Sequence, residues 1–272
     1  MSKRSKSTKT KKKRWIVIMV ICIAIAAIAA FQLVGILYNY RKSSNDYQSL
    51  RELAVQTEEE TAQEHDWYDG ETIDFDALQA INPDLIAWIR FDDTDVIPID
   101  YPIAYSGDNS TYLHADIYGA YSYAGTLFFE GAFEPLSTGK DIVYGHLMRN
   151  GSMFAALKKY VNDSSIYSDN AYFTIYTPEL VIRYAIFSYF ITPEGSQAYE
   201  YGFTKGSDAF AAHIDYLCGE SLIAAEISAE VSVEVSADAD IMMLSTCAAA
   251  NSENRIIVCA QRVDAIQLTE PE

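Results

Sequence analysis

The chain has 272 residues, half of them hydrophobic, with 20 Tyr and 12 Phe and a formal net charge of −18. That is room for one substantial domain with additions, and a core large enough to need no disulfide staple. Ten of the 20 basic residues lie in the first 42 positions, so the remainder sets 10 basic against 38 acidic side chains, a formal −28. Such a domain is excluded from nucleic-acid binding, which demands a basic face.

Residues 1–14 (MSKRSKSTKTKKKR) hold eight Lys or Arg and no acid. Residues 15–38 follow with no formal charge, and Gln32 is the one strongly polar side chain among these 24. A helix of that length crosses a hydrocarbon layer of about 30 Å. Trp15 at one end and Tyr38 and Tyr40 at the other suit the two interfaces. The apolar run continues past the Ala-rich residues 25–30, where a leader would be cleaved, so it reads as a retained transmembrane anchor. The positive-inside rule places the basic tail in the cytoplasm and the rest outside the cell membrane, in single-pass topology. Residues 39–72 are polar, acidic and read as a stalk or N-terminal helical segment, with His65 in its most acidic part.

The folded domain is expected over 73–263, before a polar tail at 264–272. DFDALQAINPDL reads as a short helix capped by Asp74 and ended near Pro83. Short β-like runs follow at 86–91, 95–103, 125–130, 141–146, 172–177, 180–191, 241–247 and 255–263. Helical patterns interrupt them at 151–162 (Met153, Phe154, Leu157, Val161 on one face) and at 207–219, where Ser207 caps and Gly219 stops. Residues 226–237 alternate apolar with Ser or Glu and predict a half-exposed strand. Six to eight strands with little helix between them predict a mainly β closed barrel or sandwich.

Four cysteines make no disulfide framework, since Cys22 lies in the membrane run and Cys218, Cys247 and Cys259 leave an odd number outside. Cys218 reads as an ordinary end-of-helix residue and Cys259 as buried strand packing. Cys247 closes an apolar strand and is followed by three alanines, which leaves its sulfur accessible at a sheet end. A nucleophilic thiol needs a base or cation to form its thiolate. Among the histidines, His146 ends a strand at the tight turn Tyr144-Gly145-His146, a setting that holds backbone rigid while the side chain meets solvent. Arg255 opens the next strand and would run beside Cys247 if the two strands pair; there it can hold an oxyanion, or simply balance Glu253 at the surface. There is no His-Glu-x-x-His, Cys-x-x-Cys, Gly-x-Ser-x-Gly or phosphate-binding Gly loop, and Asp92-Asp93-Thr94-Asp95 reads as a solvated turn rather than a calcium loop. No metal or cofactor is expected.

These residues resemble the sortase family. Leu244-Ser245-Thr246-Cys247, with Arg255 eight positions on, is similar to its signature strand, and Ile142-Val143-Tyr144-Gly145-His146 to its histidine segment. Gly151-Ser152-Met153-Phe154, Ile81-Asn82-Pro83-Asp84-Leu85, Tyr101-Pro102-Ile103 and Asp108-Asn109 with Tyr112-Leu113-His114 resemble class B in particular. The resemblance implies a sortase-type closed β-barrel of about eight strands with a few peripheral helices. It further implies cysteine transpeptidation: Cys247 attacks a sorting motif near the C-terminus of a secreted surface protein, and a thioester passes to a cell-wall peptidoglycan precursor or cross-bridge amine. On it, His146 shuttles the proton, Arg255 stabilises the oxyanion or holds the motif, and Asn109, Leu113, Tyr199 and Ser245 line the substrate groove. Ala248 departs from the acidic or polar residue common after the class B cysteine. Two alternatives stand beside this reading: a pilin-polymerising relative with a Lys acceptor, and a non-catalytic, membrane-tethered peptide-binding barrel.

Overall fold

Residues 4–57, 66–68, 70–223, 234–247 and 252–268 are described by the structure, a computed structural model, with side chains from residue 13 onward. Helix α1 (Arg4–Ala54) is continuous, and every side chain from residue 13 to 38 is exposed. Its most apolar 18-residue window has a mean hydropathy of 2.9, so by length and composition it is able to cross a membrane. The chain divides into two compact units, Met1–Lys42 and Ser43–Glu272. All that follows concerns the second.

In the last turns of α1, Tyr47, Leu50 and Ala54 fall three and four residues apart and are buried together on one face. Tyr47 fixes the contact by donating to the Gly125 carbonyl at 2.8 Å. Strands β1 (Val55–Thr57) and β2 (Glu71–Ile73) pair antiparallel beside it. Helix α2 (Phe75–Ile81) begins where the Asp74 carboxylate accepts from the Ala77 N–H at 2.8 Å, the cap read from the sequence.

Eight strands then close a barrel: β3 (Leu85–Phe91), β4 (Asp100–Ala104), β5 (Leu127–Phe129), β6 (Lys140–Tyr144), β7 (Tyr172–Tyr176), β8 (Leu180–Pro193), β9 (Ile241–Cys247) and β10 (Asn254–Gln267). Around the barrel they run β3-β4-β5-β6-β9-β10-β8-β7, and β7 pairs back to β3. The β4–β5 and β6–β9 pairs are parallel and the rest antiparallel. β8 is buried from Val181 through Phe190 without alternation, as a strand is when both its faces are covered. β10 continues to Gln267, into the stretch read as a polar tail.

Two expectations are corrected. The strand expected over 95–103 starts only at Asp100, because Pro98 has no N–H to place in a ladder and 95–99 form turns. The helix expected over 151–162 is a 3-10 turn (Phe154–Leu157) leading into α3 (Lys158–Asn162). Met153 has φ 58 and bridges Leu147, so no helix starts before it, and buried Phe154, Leu157 and Tyr160 are spaced by the 3-10 period. The helix α4 (Asp208–Gly219) is capped by Ser207 and ends at Gly219, as the sequence predicts, with Glu220 next. Most of 226–237 lies outside the described residues, as does His65.

Trp88, fully buried on β3, donates its indole N–H to Asp100 Oδ1 at 2.6 Å, while Arg51 Nε lies 2.7 Å from the other oxygen. Arg51 is partly exposed, so the ion pair itself is worth little. The indole donor is different, because Asp100→Ala leaves it buried without an acceptor. The expected cost is about 2 kcal/mol, a fall in Tm of roughly 4–8 °C for a domain this size. Calorimetry of the full chain in detergent reads it, and an unchanged Tm would remove the bond from the account of stability.

Candidate active site

Topology brings the chemistry together. β6 and β9 run parallel, in register from Lys140↔Ile241 to Tyr144↔Ser245, so both finish at the same end of the barrel. His146 and Cys247 each lie two residues past that last pair, on neighbouring segments. The Gly145 N–H donates to the Ser245 carbonyl at 3.1 Å and keeps the two segments together. β10 runs antiparallel to β9 and starts at this end, with Arg255 directly opposite Cys247. β8 arrives here too, and the Glu194 N–H donates to the Glu253 carbonyl at 2.9 Å.

The strand ends surround a cleft of about 420 Å³. It is lined by all seven residues singled out in the sequence, Asn109, Leu113, His146, Tyr199, Ser245, Cys247 and Arg255. Cys247 is a partly exposed free thiol. Cys259 is fully buried and its thiol is pushed up to about 12 by that burial, which makes it inert at neutral pH. Cys218 lies on α4, away from the cleft, and burial raises its thiol pKa as well. The cleft thus has a single cysteine among the described residues.

His146 Nε2 lies 2.7 Å from the Leu113 carbonyl oxygen. A carbonyl can only accept, so the proton of the neutral ring sits on Nε2 and Nδ1 keeps its lone pair. Burial lowers the imidazole pKa, the Leu113 bond opposes that, and the His114 ring lowers it further. His114 stacks on it at 5.5 Å with the planes 18° apart. On balance these influences favour the neutral ring over the charged one. Gly145 is required just before it: a Cβ there would stand 2.4 Å from Leu127 Cδ2 and 2.7 Å from Phe154 Cδ2. Phe154 also holds the turn by donating its N–H to the His146 carbonyl at 3.1 Å.

Arg255 donates from Nη1 to the Ser252 carbonyl at 2.8 Å and from Nη2 to Glu194 Oε2 at 2.5 Å. Its partner is Glu194 at the end of β8, not the neighbouring Glu253 that the sequence suggested. A guanidinium has five N–H donors in a fixed fork, so these contacts orient it and leave donors for a ligand.

Tyr199 forms another part of the wall. Its hydroxyl lies 2.7 Å from Ser245 Oγ, and its ring runs parallel to Tyr144 at 6.5 Å. The Tyr144 hydroxyl donates to Glu130 Oε2 at 2.7 Å, and Asn109 Nδ2 to Glu130 Oε1 at 2.5 Å. Asn109 Oδ1 accepts from the Gly131 N–H at 2.8 Å, so both ends of its amide tie the cleft rim together. The same loop is set by Asp108, whose carboxylate accepts from the N–H and hydroxyl groups of Ser110 and Thr111 and is held well below the usual range by them. Glu130 and Glu194 carried no local sequence signal, and the segment Tyr112-Leu113-His114 gave none for the stacking of His114 on His146, because each contact reaches a distant strand or loop.

A match to the Sortase domain covers residues 93–263, more than half of the chain. The chain belongs to the sortase family, and to its class B. A "Sortase B" of Listeria monocytogenes is 41% identical over 87 residues, 31% of this chain and 34% of that protein. The solved sortase B of B. anthracis in complex with AAEK1 is 26% identical, with a TM-score of 0.66 over 84% of this chain and 100% of that one. The Staphylococcus aureus sortase B–substrate complex shares the fold at 24% identity, with a TM-score of 0.67 over 84% of this chain and 99% of that one.

Proposed function

We propose that the protein is a membrane-anchored cysteine transpeptidase of the sortase B type, held by residues 15–38 with its basic tail in the cytoplasm and its barrel outside. The observation that supports this most is the meeting of a thiol, an imidazole with Nδ1 unprotonated and an oriented guanidinium at one cleft, on strand ends fixed by the barrel. Cys247 Sγ attacks the carbonyl carbon of a threonine in a C-terminal sorting motif, and His146 takes the thiol proton. Arg255 donates to the oxygen as it becomes negative. The C–N bond breaks, His146 returns the proton to the departing amine, and an acyl thioester remains on Cys247. An acceptor amine then attacks the thioester, gives its proton to His146 and releases the thiol. Asn109, Leu113, Tyr199 and Ser245 line the path of the motif; the amine belongs to a cell-wall peptidoglycan precursor or cross-bridge.

The test is to incubate the full chain in detergent micelles with a pool of hexapeptides carrying threonine at position four, and to follow products by mass spectrometry. Cleavage after threonine and an acyl adduct on Cys247 that hydroxylamine releases are the expected results. Cleavage with no adduct, or no cleavage, would overturn the assignment.

A further inference from the structure

Lys140 opens β6 and is 4% exposed, and among the described residues no carboxylate hydrogen-bonds to it; Glu200 acts on it only through its charge at longer range. Its ammonium contacts three groups: the Ala198 carbonyl at 2.5 Å, the Glu200 carbonyl at 2.9 Å and His213 Nε2 at 2.8 Å. An ammonium has three donors and no acceptor, so all three are occupied and His213 Nε2 must be the acceptor. His213 comes from α4, is buried, and is held neutral, its pKa pushed down to about 3 by burial and then by the Lys140 charge. Phe203 covers its ring at 4.5 Å. Burial likewise lowers the Lys140 pKa to about 8.

A cation in this setting is unfavourable to folding. Ala198, whose carbonyl it binds, belongs to a buried apolar cluster with Ile142, Phe210 and Cys259, and an apolar side chain in place of Lys140 would desolvate no charge. What the charge does is hold main chain. The two carbonyls it binds belong to the residues on either side of Tyr199, whose hydroxyl contacts Ser245 two positions before Cys247. Within that turn the bonds are local, Tyr199 N–H to Ser196 and Glu200 N–H to Gln197, and do not tie it to the barrel.

On the reading given under Proposed function, we infer that Lys140 is the positioning residue for the Tyr199 wall of the peptide cleft, acting through the carbonyls of Ala198 and Glu200. It touches neither the peptide nor the reacting atoms. Its substitution therefore weakens peptide capture while leaving the chemical step at Cys247 intact.

Two measurements on the full chain in detergent test this. In Lys140→Met, amide hydrogen exchange at Tyr199 and Glu200 becomes at least tenfold faster, with amides of β9 and β10 unchanged. With the hexapeptide pool, the half-saturating concentration rises about tenfold and the maximal rate stays within twofold. Combining Lys140→Met with Tyr199→Ala adds no further loss, because the lysine acts through that tyrosine. If Lys140→Met does not fold, Lys140→Gln, which keeps a donor, shows the same pattern at smaller size. Unchanged exchange at Tyr199 and Glu200, equal acceleration throughout β9 and β10, or losses that multiply in the double variant would each overturn the assignment. If Lys140→Met shows the exchange effect while the wild-type chain cleaves no peptide, the transpeptidase reading fails and Lys140's positioning role stands.

Discussion

Cys247→Ala abolishes both cleavage and transfer, a fall on the order of 10⁴-fold or more, while Cys218→Ala and Cys259→Ala retain activity. The three thiols differ in setting rather than in kind. Cys247 stands partly exposed at the end of β9 and lines the cleft. Cys259 lies on β10 among Met243, Ile257 and Phe190, with no route to solvent. Its loss removes one buried sulfur and costs about 1 kcal/mol of packing, which lowers Tm without touching the reaction. Cys218 is exposed on α4 and costs less. Intact-mass spectrometry after exposure to the peptide pool separates the cases, with the acyl adduct missing from Cys247→Ala alone. A thiol-reactive probe supplies a second reading that needs no substrate: it labels native protein at Cys247 first. Equal, slow labelling of Cys247 and Cys259 would contradict the nucleophile assignment.

Strand patterning made one part of the site legible, and the resemblance to the sortase family supplied the roles of His146 and Arg255 and the lining residues Asn109, Leu113, Tyr199 and Ser245. Cys247, His146 and Arg255 are strand-terminal residues, and an apolar run ended by a small or polar cluster marks such positions locally. Pairing β9 with β10 then puts Arg255 opposite Cys247 with no further information. The strand content was legible for the same reason, but eight short runs with little helix between them fit a barrel or a sandwich, and the family resemblance supplied the barrel. What stayed hidden depends on contacts remote in sequence. Glu194 meets Arg255 through the β8–β10 register, and His114 stacks on His146 from a loop that precedes β5. Lys140 falls just before the run expected at 141–146, and His213 lies within the helical pattern at 207–219. Their contact across 73 residues has no local signature. The 151–162 helix failed on one backbone angle: the positive φ of Met153 delays the helix, and a non-glycine residue gives no warning of that.

Arg255→Lys loses roughly 10²–10³-fold in the rate of acylation, although the positive charge is kept. An ammonium is a point donor on a flexible stem, whereas the guanidinium is a planar fork. Here that fork is oriented from two sides, by the Ser252 carbonyl and by Glu194. Glu194→Gln separates orientation from charge balance. Glu194 is 68% exposed on its side chain against 20% for Arg255, so the ion pair is largely screened and contributes little to stability. Glutamine keeps an acceptor for Nη2, and the Ser252 bond still holds Nη1, so its activity falls less than tenfold. Single-turnover acylation measured by rapid quench on both variants gives the comparison. If Arg255 only balanced a surface acid, the ordering would reverse: lysine would serve as well as arginine, and removing the acid would be the more harmful change. A large loss in Arg255→Lys beside a small one in Glu194→Gln requires donors placed in a plane opposite Cys247, the geometry that an oxyanion forming on a thiol adduct calls for.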